Sequence, residues 1–449
     1  MRRTITEGSI IFVSVAKWLF MASLVGVLVG ASTTVFIKLL AWSGQLAVHH
    51  KYYFLFLPAA LMVSVLLVKY LAPDAKGHGT EKVIEAIHQN SGRIKIAVIP
   101  VKLIATIITL AFGGSAGKEG PCAQIGAGLA STLAGILKFN DADRKKIVIC
   151  GISAGFASVF GTPISGAIFG VEVLFAGAIV YDVLLPSFVA GITAHQVAQA
   201  LGLTYFYHPL QLVPVFSETF FLKVVIAGIF FGLCSGMLIE TLKLGEKFAA
   251  KIRVGAVLKA FIGGCILIVL AFIFSTQYLG LGMKSIESTL QGTQMPRYAF
   301  IMKSVFTSIT LAFGGSGGIV TPIFFVGAAA GSFFGFLLGL DIATFSAIGL
   351  VSLLAGAANT PISASIMAVE LFGPKLAPYA AVACVVSFLM TGHRSVFPSQ
   401  ILATSKSSSI HVNIGEEIED VEAKYKPRKN TITLFLNKII SKFYKSDSK

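Results

Sequence analysis

Apolar residues run in long blocks along the chain, at about 9–42, 52–72, 97–113, 146–160, 164–203, 218–240, 256–279, 299–313, 321–356 and 361–391. A straight helix needs about 20 apolar residues to cross a hydrocarbon core. Few of these blocks are clean spans of that kind. Many are shorter, and Gly or Pro interrupts them. Short or broken spans persist only where protein or a water-filled cavity covers the exposed backbone. The pattern predicts an all-α polytopic membrane protein with half-spanning or re-entrant helices, a construction that brings helix ends to a site near the bilayer midplane.

The blocks also repeat. Residues 108–115 read ITLAFGGS, and residues 309–316 read the same. The same offset pairs Lys102 with Lys303, Thr106 with Thr307, Gly117 with Gly318 and Pro121 with Pro322. A second pair follows in order, TPISGAIFGVE at 162–172 and TPISASIMAVE at 360–370, with seven of eleven positions identical. Two ordered pairs indicate a duplication, with half-repeats at about 9–205 and 215–403. Duplicated halves are common in transporters, often with inverted topology. The repeat alone leaves the relative orientation of the halves open.

Composition narrows the class. Of 449 residues, 55% are hydrophobic and only 13% are charged, against roughly a quarter charged in soluble domains. A water-soluble enzyme core and intrinsic disorder are both excluded. Net charge is +15, which in a soluble protein would suggest nucleic acid. Here it reads as basic cytoplasmic loops: Arg2-Arg3, Arg144-Lys145-Lys146, Lys243 to Arg253, and the C-terminal tail. The expectation is a multi-pass protein of the cell (inner) membrane with both termini cytoplasmic and no nucleic-acid partner. The five cysteines lie far apart in apolar runs and read as small buried hydrophobes. The first apolar run has no clear cleavage site and reads as a helix, not a signal peptide.

Residues 404–449 form a cytoplasmic tail. Thr404–Ser409 reads as a linker, and an acidic stretch follows at Glu416-Glu417-Ile418-Glu419-Asp420. Thr431–Phe443 has the spacing of a basic amphipathic helix. Such a helix lies on the inner leaflet or packs on the protein, and both readings stand. At about 45 residues the tail is too short for a typical regulatory domain.

The strongest local signal is Gly113-Gly114-Ser115-Ala116-Gly117-Lys118-Glu119-Gly120-Pro121. It is not a P-loop: no Gly stands five residues before Gly117, and Glu119 occupies the place of the magnesium-binding Ser or Thr. No strand–helix–strand unit surrounds it, so it is not a dinucleotide fingerprint. Small residues that let helices approach closely account for part of the stretch. They do not account for an acid inside an apolar region, which is costly and a functional candidate by default. Proline favours the first turn of a helix, so Pro121 and Pro322 each mark a helix start. A helix N-terminus carries roughly half a positive charge and binds anions. Two such starts related by a duplication can converge on one anion. Glu119 then sits where that anion would sit, and a carboxylate that swings away is a gate.

These segments resemble the CLC family of chloride channels and proton-coupled chloride transporters, of the prokaryotic type without a CBS regulatory domain. The resemblance covers about 10–403 and rests on GKEGP at 117–121, GIVTP at 318–322, GTPISG at 161–166 and KGHGTEK at 76–82. It implies an inverted repeat of tilted and broken helices and a homodimer with one pore per subunit. It also implies small inorganic anions as cargo and membrane lipid as surroundings. No cofactor is implied beyond a bound chloride or other halide. By resemblance, Glu119 is the gating glutamate. Ile319 and Val320 hold the central anion through backbone N–H groups, Lys118, Glu119 and Gly120 supply the outer site, and Gly77 and His78 supply the inner one.

The departures change the expectation. The family usually places Ser in a first motif G-S-G-I-P, where this chain has Gly77-His78-Gly79-Thr80-Glu81. The Tyr that donates a hydroxyl near the end of the family pattern is matched by Phe397, and the aromatic of G-x-F-x-P is Val320. Both hydroxyl ligands are gone, and His78 is left to supply an imidazole N–H. If His78 lines the pore, it titrates at about 6.5 and acid strengthens anion attraction; a packing role is the other reading. Family exchangers carry a second glutamate where this chain has Val173, after Glu172. Valine carries no proton, which favours passive or weakly proton-coupled transport over tight exchange with chloride or fluoride. A fluoride-specific branch of the family also has an altered first motif and ranks second for the permeant anion. A membrane-embedded enzyme would need further polar groups with metal spacing, and a cation path would need acidic rings. The sequence has neither.

Overall fold

The computed structural model describes residues 2–205, 207–209 and 217–425; the amphipathic stretch Thr431–Phe443 lies outside them. The described residues are mostly helical. The first part contains α1 (Arg2–Val48), α2 (Leu57–Leu71), α3 (Gly79–Gln89), α4 (Val98–Ala111), α5 (Glu119–Ile136), α6 (Asp141–Phe160), α7 (Pro163–Glu172) and α8 (Leu184–Ala200). The second contains α9 (Glu218–Lys251), α10 (Ala256–Ile273), α11 (Met283–Leu290), α12 (Ala299–Ala312), α13 (Val320–Leu337), α14 (Ile342–Ala358), α15 (Pro361–Phe372) and α16 (Ala377–Met390). Five helical segments among the described residues are long and apolar enough to cross a membrane. The rest of the apolar helices are shorter. The blocks at 164–203, 321–356 and 361–391 each divide into two helices, with Gly177, Gly339 and Gly373-Pro374 in the turns between them. Two short polar helices, α3 and α11, lie in gaps between the apolar blocks.

The repeat is visible in contacts that are reciprocal between mates, which is what a two-fold axis produces. The Ser115 hydroxyl lies 3.0 Å from that of Thr307, and Thr106 lies 3.1 Å from Ser316. The Ser115 N–H donates to Thr310 Oγ1 at 3.0 Å, and the Ser316 N–H donates to Thr109 Oγ1 at 3.1 Å. Each GGS turn is therefore pinned by hydroxyls of the other half. The turns are identical in backbone too: Gly113 and Gly314 have φ of 98° and 100°, a conformation glycine adopts at no steric cost.

Glu172 and Glu370 form the clearest exchange. Glu172, at the end of α7, accepts from Ile362 N at 3.0 Å and Ser363 N at 2.8 Å, the first turn of α15. Glu370, in α15, accepts from Ile164 N at 2.9 Å and Ser165 N at 2.8 Å, the first turn of α7. Each carboxylate satisfies amides that a helix start leaves without partners.

Helices α5 and α6 pack by backbone contact. A Cβ on Gly151 would stand 2.5 Å from Gly126 O. The mates Gly327 and Gly349 meet in the same way between α13 and α14. Small residues replace side-chain burial as the means of close approach inside lipid.

The segment Thr404–Ser409 departs from the linker expectation. Lys406 Nζ donates to Asn359 Oδ1 and Phe388 O, both at 2.7 Å, and lies 3.9 Å from the Phe388 ring centroid. Strand β1 (Phe175–Ala176) pairs with β2 (Ile401–Leu402), and β3 (Ile410–His411) with β4 (Lys424–Tyr425). Ala176, Leu402, Val412 and Ile418 make a small apolar cluster beneath the tail. The acidic stretch is docked as well, with Gln89 Nε2 donating to Glu417 at 3.0 Å.

Candidate functional site

Three helices begin at one point. His78 is the N-cap of α3, Lys118 of α5 and Ile319 of α13. Pro121 and Pro322 each fall in the third position of their helix, as their preference for the first turn requires. The loops before these helices are joined by backbone pairing. Gly117 N donates to Gly318 O and Gly318 N to Gly117 O, both at 2.7 Å. His78 pairs with Gly317 in parallel. A Cβ on Gly120 would stand 2.9 Å from Gly318 Cα, 3.2 Å from Gly79 N and 3.6 Å from Thr80 N. Only glycine permits these approaches.

The first N–H groups of each helix lack an intrahelical acceptor, and none of the three N-caps supplies a side-chain acceptor. Three partial positive ends therefore share one enclosed space, where an anionic group is favoured. The group present is the carboxylate of Glu119. It is fully buried, and it packs against Gly117 and Gly318. Its Oε2 accepts from Thr321 Oγ1 at 2.6 Å. Its Oε1 has no hydrogen-bond partner among the described residues.

The predicted site residues divide by depth. Gly120, Ile319 and Val320 are buried around Glu119. Lys118 is half-buried at the N-cap of α5. Gly77, with φ of 80°, and His78 form the turn into α3. Phe397 is fully buried, its ring centroid 6.0 Å from that of His78. It carries no hydroxyl, and His78 Nδ1 is enclosed without a partner among the described residues.

Phe397 is held by a polar network. Its N–H donates to Ser395 Oγ at 3.0 Å, and Ser395 Oγ donates to Gln400 Oε1 at 2.6 Å. Gln400 Nε2 donates to Val173 O at 2.7 Å and Ala358 O at 2.8 Å. Position 173 thus contributes a backbone carbonyl, and its side chain is buried and apolar.

Several residues at the site were not singled out from sequence. Thr321 lies inside GIVTP, and its signal is a hydroxyl beside the helix-start proline. Glu81 lies inside KGHGTEK, and its Oε1 accepts from Ser399 N at 3.0 Å and Ser399 Oγ at 2.5 Å. Lys102 and Lys303 were paired by the repeat without a role. Both are fully buried. Lys102 donates to Ala75 O and Gly77 O, and Lys303 to Tyr278 O and Gly280 O. Each ties down the loop that enters a short polar helix, α3 or α11.

Five helical segments long and apolar enough to cross a membrane, with three helix starts converging on a buried carboxylate, define a polytopic membrane protein with a polar site enclosed among its helices. Residues 59–392 match the family described as voltage gated chloride channel, and the chain belongs to that family, the CLC anion channels and transporters. It is 38% identical over 414 residues to the chloride/fluoride channel protein of Pseudomonas syringae pv. tomato, with 90% of each chain covered. It is similar to a crystal structure of a CLC-type fluoride/proton antiporter, with a TM-score of 0.82 and 28% identity over 86% of this chain and 98% of the other. A slow cyanobacterial Cl−/H+ antiporter shares the fold, with a TM-score of 0.71 and 21% identity over 83% and 94% of the two chains. The chain is a multi-pass membrane protein of an anion-transport family, which sets aside the membrane-embedded enzyme.

Proposed function

We propose that this chain carries chloride or fluoride across the cell membrane through one path per subunit of a homodimer, passively or with weak coupling to protons, and that Glu119 gates the path. The observation that carries this reading is the reciprocal Gly117–Gly318 pairing, which sets the starts of α5 and α13 together with the Glu119 carboxylate between them. An anion entering that space competes with the Glu119 carboxylate for the place beside those helix starts. His78, Gly77 and Phe397 form the inner approach, and Ile319, Val320, Lys118 and Gly120 the walls nearer the gate. The basic loops and both termini face the cytoplasm. The missing hydroxyls at 78 and 397 set the inner approach apart from the usual chloride pattern. That puts fluoride beside chloride, as the names of the Pseudomonas relative and the solved antiporter do.

A second reading, halide/proton antiport, is supported by Glu119 Oε1, a buried acceptor left open to a proton. Anion and proton fluxes recorded together from liposomes separate the two. The parent is expected to release chloride or fluoride with few protons moved. Glu119→Gln should retain anion flux and lose any proton movement. A parent that releases neither anion ends the proposal, and tight uphill proton pumping at a fixed ratio replaces it with antiport.

A further inference from the structure

A cavity of about 840 Å³ opens to the surface beside Arg144, in one of the basic loops. Helix α3, the loops on either side of it, α5 and the start of α6 make its walls. Gly77, His78 and Phe397 are not among them, so the cavity is separate from the inner approach. Its volume is in the range that holds a small organic ligand.

Five basic side chains and three acidic ones line it. Asp141 is shared by two arginines, Arg93 Nη2 at 3.1 Å and Arg144 Nη1 at 2.9 Å. Lys95 pairs with Asp74 at 3.0 Å, and Lys82 with Glu85 at 2.5 Å. Lys76 is in no ion pair among the described residues. The pairing leaves one guanidinium and one ammonium in surplus, which suits a ligand that carries phosphate.

The rim of the cavity is apolar. Ile94 and Val98 belong to the lining. Ile96, just after the lining residue Lys95, and Ile136 and Leu137, just after Gly135, are large, apolar and exposed. They stand at the ends of the apolar helices α4 and α5. Surplus positive charge beside exposed apolar helix ends is the setting in which a lipid headgroup meets its acyl chains. The turn that closes the wall is shaped for a side chain: Ser91 has φ of 51°, where glycine is the unstrained choice, and Ser91 lines the cavity.

We propose that this cavity holds the phosphate headgroup of an anionic phospholipid from the leaflet on the basic-loop side, with the acyl chains along Ile96 and Ile136. The floor connects it to α3. Gln124 lines the cavity and is 2% exposed. Its Nε2 donates to Asp74 O at 3.2 Å, and a Cβ on Gly79, the first residue of α3, would stand 2.9 Å from its Oε1. A bound headgroup therefore bears on residues 73–79, the loop that enters α3.

The inference goes beyond the transport reading and stands without it, since lipid binding is read with no flux. The full chain in detergent is titrated with phosphatidylglycerol or with phosphatidylcholine of the same acyl chains. Bound lipid is counted by native mass spectrometry, and amide exchange is followed across 73–79. The parent is expected to hold phosphatidylglycerol about tenfold more tightly than phosphatidylcholine, with exchange slowed across 73–79 only by the former. Lys76→Gln combined with Arg93→Gln should lose that preference. Lys251→Gln combined with Arg253→Gln, an equal loss of charge in a basic loop outside the cavity, should keep it. Glu85→Gln, which frees Lys82, should tighten phosphatidylglycerol binding about fivefold, a gain that misfolding cannot imitate. Equal binding of the two lipids by the parent, equal losses in the two double variants, or no gain in Glu85→Gln overturns the proposal. Displacement of the lipid by inorganic phosphate at the same concentration overturns it as well, and makes the cavity a site for a soluble anion.

Discussion

Thr321 stands where the first repeat has Gly120, and that substitution breaks the symmetry of the site where it matters most. Its hydroxyl donates to Glu119 Oε2 at 2.6 Å, and Oε1 has no donor among the described residues. A hydrogen bond to a charged group contributes about 1.5–3 kcal/mol. Thr321→Val keeps the shape and removes that bond, so the carboxylate leaves its seat more often. Anion efflux at pH 7 is expected to rise about tenfold; efflux equal to the parent's would show that Thr321 does not hold the gate. Lys102 acts one step further out. Lys102→Met leaves two carbonyls before α3 without a donor, at about 1–3 kcal/mol each. The expected outcome is a lower unfolding midpoint in detergent, with amide exchange rising first across 75–81. Much of this was legible in the sequence. Glu119 stood out as an acid in apolar surroundings, and Gly117 and Gly318 as a pair of the repeat; Gly120, Ile319 and Val320 were singled out only through the resemblance to the family. Thr321, Glu81 and Lys102 were not, because a hydroxyl or charge is indistinguishable from a helix-capping residue until its partner across the fold is known.

The exchange of caps between α7 and α15 explains how two short helices hold together inside lipid. They are 10 and 12 residues long, about three turns each, and each start is satisfied by the other's glutamate. Glu172→Ala leaves the N–H groups of Ile362 and Ser363 unpaired in a buried place, which costs about 2–4 kcal/mol by the usual price of such donors. Glu172→Gln should recover about half of that, through its one remaining acceptor oxygen. Thermal unfolding in detergent measures both, and equal midpoints for parent and Glu172→Ala would remove the cap from the account. The TPIS…VE repeat made this pair legible as mates, though not as partners, because a repeat fixes correspondence and not contact. Helix number was legible less well. Apolar blocks such as 321–356 run through two helices, since the turns between them are themselves largely apolar, and α11 has too little apolar surface to register as a block at all.

At the scale of the molecule the described part of the tail, 404–425, and the helical core are one structure. Lys406 reaches Asn359 and Phe388, and Asn359 Nδ2 donates to Gln400 Oε1 at 3.1 Å, in the network that positions Phe397. The tail also touches that segment directly: Ile418 N donates to Gln400 O at 2.8 Å, and Glu419 N to Pro398 O at 3.2 Å. Lys406 lies outside the spanning helices, and burial pushes its ammonium from the usual lysine range down to about 7. The docked tail therefore sheds a proton near pH 7 that a released tail keeps until about pH 10.4. Between those values the released form binds more protons, so docking strengthens as pH rises and is weakest, by a constant amount, below pH 7. Amide protection across 404–412 should grow from pH 6 to pH 9 in the parent. Lys406→Met, which has no proton to lose, should flatten that dependence. Because the same network holds Phe397, anion flux through the parent should shift over this pH range by a component that Lys406→Met abolishes even where Glu119 is left intact. An identical pH slope of protection in parent and Lys406→Met would mean that another group governs the tail.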